Sequence, residues 1–171
     1  MPKLSIRGGV HPDEHKLTNE ITITRVPTPE RLYLPLKQHI GAPAAPDKVI
    51  HEIIHKGQII ARAQGSVSAN IHAPCSGYVE QITDWAAPHP SGLPTRTMVL
   101  VNDGRELRDD VSTPVNPLFL RPEVIAERVS QAGIVGLGGA TFPSAVKLTL
   151  GQSRNTPVLI INGCECEPYL T

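Results

Sequence analysis

The sequence predicts a mixed fold, a small all-β barrel or sandwich followed by the beginning of an α/β layer. Three observations carry that expectation. Short β-type runs separated by turn residues fill positions 31 to about 101 with no helical stretch among them. A polar, proline-bearing segment at 109–117 then changes the character of the chain. Beyond it come a helix signal, a glycine-rich turn, a second short helix signal and an apolar strand run.

Taken in order, residues 1–30 read as an extended arm. Ile21 and Ile23 alternate with Thr22 and Thr24 as a strand would, until Val26-Pro27-Thr28-Pro29 breaks the run. The β module is expected over 31–103, with strand runs at 48–54, 58–61, 66–71, 77–82 and 97–101. Residues 104–117 read as a linker, and 118–171 as the start of an α/β domain. There Pro122 suits a first helical turn, Glu123 complements the positive helix end, and Gly133 can terminate the helix. Ile125, Val129 and Ala132 share one face at helical spacing. A second helix opens near Pro143, and Val158 begins the short apolar strand of 158–161.

Composition narrows the function classes. The 171 residues carry 16 basic and 16 acidic side chains, a balance that argues against binding nucleic acid through its phosphates. Hydrophobic residues make up 40 %, enough for a packed core. The 17 prolines and 14 glycines fit short elements and many turns. Three cysteines, two of them Cys164 and Cys166, suit a reducing compartment better than a disulfide scaffold. The N-terminus shows no apolar signal-peptide core, and the run at 158–161 is far shorter than the ~20 residues of a membrane span. The expectation is a soluble chain.

Two motifs carry chemistry. Gly136-Leu137-Gly138-Gly139-Ala140-Thr141-Phe142-Pro143 runs into a helix, whose positive end suits a phosphate; Lys147, about one turn inside, can approach the same anion. A helix rather than a strand precedes it, so it is not a Rossmann fingerprint. The second motif, Asn162-Gly163-Cys164-Glu165-Cys166-Glu167, follows the apolar strand, where open α/β sheets bind ligands. Asn162 can hydrogen-bond a heterocycle, while Glu165 and Glu167 accept from ribose hydroxyls or a carboxamide. Read alone, this stretch is first a polar surface turn and only second a ligand site. His11, Glu14 and His15 have the spacing of a helical metal pair, but Pro12 disfavours the helix, and Cys164 with Cys166 makes an incomplete zinc site. No metal site and no catalytic residue are assigned.

Lys56-Gly57-Gln58-Ile59-Ile60-Ala61 followed by Ile71-His72-Ala73-Pro74-Cys75-Ser76-Gly77-Tyr78-Val79 resembles the biotinyl/lipoyl carrier domains, a barrel-sandwich hybrid. Such domains carry a modifiable lysine at a hairpin tip. That tip falls here at Ser66, and no lysine stands between Lys56 and Lys147, so the fold without the attachment chemistry is favoured well above a covalent carrier role. With Gly8-Gly9-Val10-His11-Pro12, Gln38-His39-Ile40-Gly41, the glycine loop and Glu165-Cys166-Glu167-Pro168-Tyr169, the chain resembles the C-subunit family of Rnf (Rsx) ion-translocating electron transport complexes. These are related to the flavin- and NADH-binding 51-kDa subunits of respiratory complex I.

The resemblance implies an FMN phosphate near Gly136, Gly138, Gly139 and Lys147. Asn162 would lie at the isoalloxazine, with Glu165 and Glu167 near flavin and nicotinamide nucleotide. Cys164 stands where the complex I relatives carry an acid. Family members continue into a domain with two [4Fe–4S] clusters, each needing four thiolates, which the three cysteines here cannot supply. The resemblance therefore implies a truncated N-terminal piece. Its partners would be the other subunits of a membrane-bound complex and a nicotinamide nucleotide, and its place the cytoplasmic face of the bacterial inner membrane. The alternative is a non-catalytic docking module in complex assembly.

Overall fold

The computed structural model describes residues 12–88, 91–109, 115–137, 139–154, 157, 158, 160, 168 and 169. The chain divides into two compact units, Pro27–Thr156 and a smaller one made of Met1–Val26 with Pro157–Thr171.

Among the described residues of the larger unit, seven strands precede the helices: β1 (Arg31–Pro35), β2 (Ala45–Pro46), β3 (Ile53–Ile54), β4 (Ile59–Arg62), β5 (Ile71–His72), β6 (Gly77–Ala86) and β7 (Pro94–Asn102). They form two antiparallel sheets, ordered β1-β7-β6-β3 and β2-β4-β5. Leu36, Ile54, Ile60, Ile71, Val79, Met98 and Leu100 make the buried core of this module. In β6 the register shifts between Val79, opposite Leu100, and Gln81, opposite Val99. Glu80 is the extra residue of a β-bulge. The bulge moves the two-residue alternation by one position, so Val79 and Ile82, three apart, both reach the core. Glu80 turns outward and takes the Arg31 guanidinium at 3.1 Å.

The strand runs read from the sequence at 48–54 and 66–71 contract to the two-residue strands β3 and β5. Other partners take their backbone groups. Val49 N–H donates to the Glu52 carboxylate and Glu52 N–H to the Val49 carbonyl, which closes a turn. Ala63 N–H donates to Asn70 Oδ1, and Ala69 N–H to His39 Nε2. The hairpin tip does fall at Ser66, which is exposed between β4 and β5.

Residues 103–109, the start of the expected linker, fold back on the module. Ser76 Oγ donates to Asp103 Oδ1 at 2.6 Å and accepts Leu107 N–H at 3.0 Å. Lys56 N–H donates to the Leu107 carbonyl, Lys56 pairs with Glu106, and His55 Nδ1 meets Asp109 Oδ1 at 2.7 Å. Beneath this strap Cys75 is fully buried; burial first, then Glu106 and Asp103, pushes its thiol pKa up, which keeps it protonated and unreactive.

A 3₁₀ turn (Pro117–Phe119) leads to α1 (Pro122–Gln131), with Pro122 and Glu123 in its first turn as expected. The helix ends where Gly133 takes φ +64°. Its last carbonyls are met by the β module: Asn70 Nδ2 donates to the Ser130 and Gln131 carbonyls at 3.5 and 3.3 Å. A Cβ on Gly133 would come within 2.3 Å of the Asn70 carbonyl oxygen, so this docking requires glycine. The second helix, α2 (Ser144–Ser153), packs on α1.

One sequence expectation is corrected: residues 21–26 form no strand, and Ile23 is 97 % exposed. Alternation supplies the pattern, but a strand also needs a partner segment that receives its backbone hydrogen bonds. The apolar run expected as a strand at 158–161 lies partly outside the described residues: Val158 and Ile160 are exposed, and 159 and 161 are not described.

Candidate functional site

The glycine loop is pinned at both ends. Gly136 N–H donates to the Phe142 carbonyl at 2.9 Å, and Ser144 N–H to the Ile134 carbonyl at 2.9 Å. On its outer side the Ala140 carbonyl accepts Ile40 N–H from the β module at 3.2 Å. Thr141 at φ +44° and Pro143 turn the chain into α2.

Lys147 is the fourth residue of α2. Its Nζ stands 5.6 Å from the centroid of the Phe142 ring, a cation–π distance, and would be 3.9 Å from a Cβ on Gly136. Lysine and glycine are thus neighbours, as the sequence suggested, but the chemistry differs in one respect. Gly136 and Ser144 spend their N–H groups within the loop, so Gly136 contributes room rather than a donor. Gly139 is open, since a Cβ there would meet nothing within 4 Å. Among the described residues no carboxylate pairs with Lys147. A cation beside small residues at the positive end of a ten-residue helix is a donor set that fits a phosphate.

Gly138, Asn162, Glu165 and Glu167, the remaining expected contacts, lie outside the described residues, as do Cys164 and Cys166. Pro168 and Tyr169, just beyond them, are in a turn. In that smaller unit the Tyr169 ring stacks on the His15 imidazole, with centroids 4.7 Å apart and planes 9° from parallel. Tyr169 N–H donates to the Glu14 carbonyl at 2.9 Å. Of the His11, Glu14 and His15 cluster read from the sequence, His15 and the Glu14 backbone thus meet an aromatic residue, while His11 lies outside the described residues. Among the described residues no group of three or more His, Cys, Asp or Glu side chains could hold a metal.

Sequence reasoning missed a cleft of about 310 Å³ where β5 approaches the end of α1, lined by Gln38, His39, Asn70, His72, Gly133 and Val135. His39 is buried; because Ala69 N–H donates to its Nε2, its proton sits on Nδ1, which donates to the Ile40 carbonyl at 3.0 Å. Burial pushes the His72 pKa down, partly opposed by a hydrogen bond to the Gln131 carbonyl. The signal in the sequence was the Gln38-His39-Ile40-Gly41 block, whose contacts span some thirty residues and are not readable from local pattern. A second cavity, about 480 Å³, separates α1 from α2, and Ser66 at the hairpin tip lines it with Ala126, Ala145, Val146 and Leu150.

Comparison with known proteins adds two family matches. Residues 4–105 match the RnfC barrel-sandwich hybrid domain, and residues 129–171 the Nuo51 FMN-binding domain. The C subunit of the ion-translocating oxidoreductase complex of Rhodobacter capsulatus is 51 % identical over 100 % of this chain, covering 33 % of that relative. The C subunit of the proton-translocating ferredoxin:NAD(+) oxidoreductase complex of Clostridium ljungdahlii is 43 % identical over 98 % of the chain and 36 % of its own length. For the C subunit of the ion-translocating oxidoreductase complex of Pseudomonas aeruginosa the figures are 40 %, 94 % and 21 %. The chain thus spans about a third or less of the relatives it matches. No described helix is long and apolar enough to cross a membrane. With the hybrid module covering more than half of its length and the glycine loop inside the second match, the chain belongs to the RnfC family, the C subunits of ion-translocating oxidoreductase complexes.

Proposed function

We propose that this chain is the N-terminal part of the C subunit of a membrane-bound NADH:ferredoxin oxidoreductase that couples electron transfer to ion transport. In this reading the hybrid module (31–103) docks neighbouring subunits, and 118–171 begins an FMN- and NADH-binding domain. One observation carries it: within the segment that matches an FMN-binding domain, Lys147 is held beside Gly136 at the start of α2. Lys147 and the loop glycines Gly138 and Gly139 receive the FMN phosphate. Asn162 orients the flavin ring, and Glu165 and Glu167 receive the nicotinamide nucleotide. When bound, FMN would supply the hydride and single-electron chemistry. This chain's residues bind and orient. The [4Fe–4S] clusters belong to other parts of the subunit, since three cysteines cannot ligate one. The subunit sits peripherally on the cytoplasmic face of the membrane through its partners.

Titration of FMN into the full-length subunit tests this. Lys147→Ala should weaken binding about 10- to 100-fold, the range for losing a charge-assisted contact, whereas riboflavin, which lacks the phosphate, should bind wild type and variant alike. Equal FMN affinity in the two proteins would remove Lys147 from the site. A second reading, a docking module without cofactor, is favoured by Ser66 at the hairpin tip, facing the helix pair where carriers expose a lysine. It predicts no flavin uptake by wild type.

A further inference from the structure

His39 is buried, only 5 % exposed, in the loop between β1 and β2. Its ring joins two backbone groups: Nε2 accepts Ala69 N–H at 3.1 Å, and Nδ1 donates to the Ile40 carbonyl at 3.0 Å. The next residues add further constraints. Gly41 takes φ +95°, and a Cβ there would lie 2.2 Å from the Val67 carbonyl oxygen. Ala42 N–H donates to that same oxygen at 3.0 Å. The loop is thus fixed against the hairpin between β4 and β5, although Ile40 itself is half exposed. Fixed in this way, Ile40 N–H meets the Ala140 carbonyl of the glycine loop at 3.2 Å. That bond bears on charge. A carbonyl oxygen repels an anion, and a trans peptide that turns its C=O one way turns its N–H the other. With the Ala140 carbonyl held to Ile40, the Thr141 N–H faces away from the β module. The space beside Gly136 is bordered by Phe142 N and Lys147 Nζ, each 3.9 Å from the place of a Cβ on that glycine.

We propose that His39 is a positioning residue for the FMN phosphate: it fixes Ile40, whose N–H keeps the Ala140 carbonyl turned away from an anion beside Lys147. The inference rests on the reading of Lys147 and the loop glycines given above. The β module then does more than dock neighbours, because it sets which backbone groups the glycine loop offers to a phosphate. The active property is the Nδ1–H donor to Ile40, whereas the Nε2 bond to Ala69 serves the hairpin.

FMN and riboflavin titrated into the full-length subunit provide the test. In His39→Gln the amide reaches the Nε2 position, which keeps the Ala69 bond and loses the Ile40 bond. In His39→Asn it reaches the Nδ1 position, and the reverse holds. His39→Gln should raise the FMN Kd about two- to tenfold, the range for one neutral hydrogen bond, with the riboflavin Kd unchanged. His39→Asn should bind FMN as wild type does, despite a lower urea midpoint from the unpaired Ala69 N–H. Ile40→Pro, which deletes the N–H donor itself, should show the same FMN-selective loss as His39→Gln. Wild-type FMN affinity in His39→Gln or Ile40→Pro overturns the positioning role. So does an equal rise for riboflavin, or an FMN Kd that follows stability across the two His39 variants, as a purely structural histidine would produce. Lys147→Ala separates the two readings: if it leaves FMN affinity unchanged, the phosphate site itself fails, and the role of His39 with it.

Discussion

Replacing Gly133 by alanine should release α1 from the β module. The left-handed φ of +64° costs an alanine about 1–2 kcal/mol, reduced by up to about 1 kcal/mol through the stiffer unfolded chain. The larger effect is steric. The new Cβ would lie 2.3 Å from the Asn70 carbonyl oxygen, 3.2 Å from its carbon and 3.3 Å from His72 Cε1, and backbone atoms cannot rotate aside. The helix end must therefore move, and the two Asn70 Nδ2 bonds to the Ser130 and Gln131 carbonyls stretch beyond reach at about 0.5–1.5 kcal/mol each. Together these give about 2–4 kcal/mol. Gly104 supplies the control: its φ is +70°, but a Cβ there meets nothing within 4 Å, so Gly104→Ala should cost about 1 kcal/mol or less. Urea unfolding followed by circular dichroism compares the two variants. The fluorescence of Trp85, the chain's one tryptophan, reports the β module separately, because it lies in β6. Amide exchange in α1 should accelerate roughly tenfold or more in Gly133→Ala, with β6 and β7 still protected. Equal destabilisation by the two substitutions, within about 0.5 kcal/mol, would refute the close-approach argument.

Two further outcomes concern pH and the strap. Ser76→Ala removes a fully buried hydroxyl that serves Asp103 and Leu107, and should cost about 1–3 kcal/mol in urea unfolding. The Ser76 hydroxyl first, then the Arg105 N–H, holds the Asp103 carboxyl below its ordinary pKa. Its stabilisation is thus present above the ordinary carboxylate value and lost as pH falls through the folded one, and carboxyl NMR should find the Asp103 titration moved upward in Ser76→Ala. For His72 the sign is the same but the window higher: its folded pKa is below the ordinary imidazole value, so the unfolded chain takes up the proton first. Stability should fall as pH drops below about 6.5, and His72→Gln should flatten that part of the profile; an unchanged slope would remove His72 as its source.

The neighbouring lysine and glycine of the candidate site were legible because their signals are local, whereas Gly138, Asn162, Glu165 and Glu167 lie outside the described residues. Glycines followed by proline mark a turn into a helix whatever surrounds them, and a lysine three residues into that helix must lie near its start. What the pattern could not reveal was that Gly136 gives its N–H to Phe142, because pairing across a turn depends on how the loop closes. The His15–Tyr169 stack was likewise invisible, joining segments that share no periodicity.

The same division runs through the fold. By itself the sequence determined the turn positions, the bounds of α1 between Pro122 and Gly133, the hairpin tip at Ser66 and the loss of a carrier lysine there. Each follows from φ limits, helix-end charge or side-chain chemistry within a few residues. Only the tertiary structure decided which apolar runs became strands. Residues 97–101 gained ladder partners on both sides within β7, those at 66–71 kept only Ile71 in a strand, with the Ala69 N–H taken by His39 and the Ala63 N–H opposite taken by the Asn70 side chain, and those at 21–26 form no strand. The physical reason is that a helix satisfies its backbone within one segment, whereas a strand exists only when a distant segment is placed to receive its hydrogen bonds.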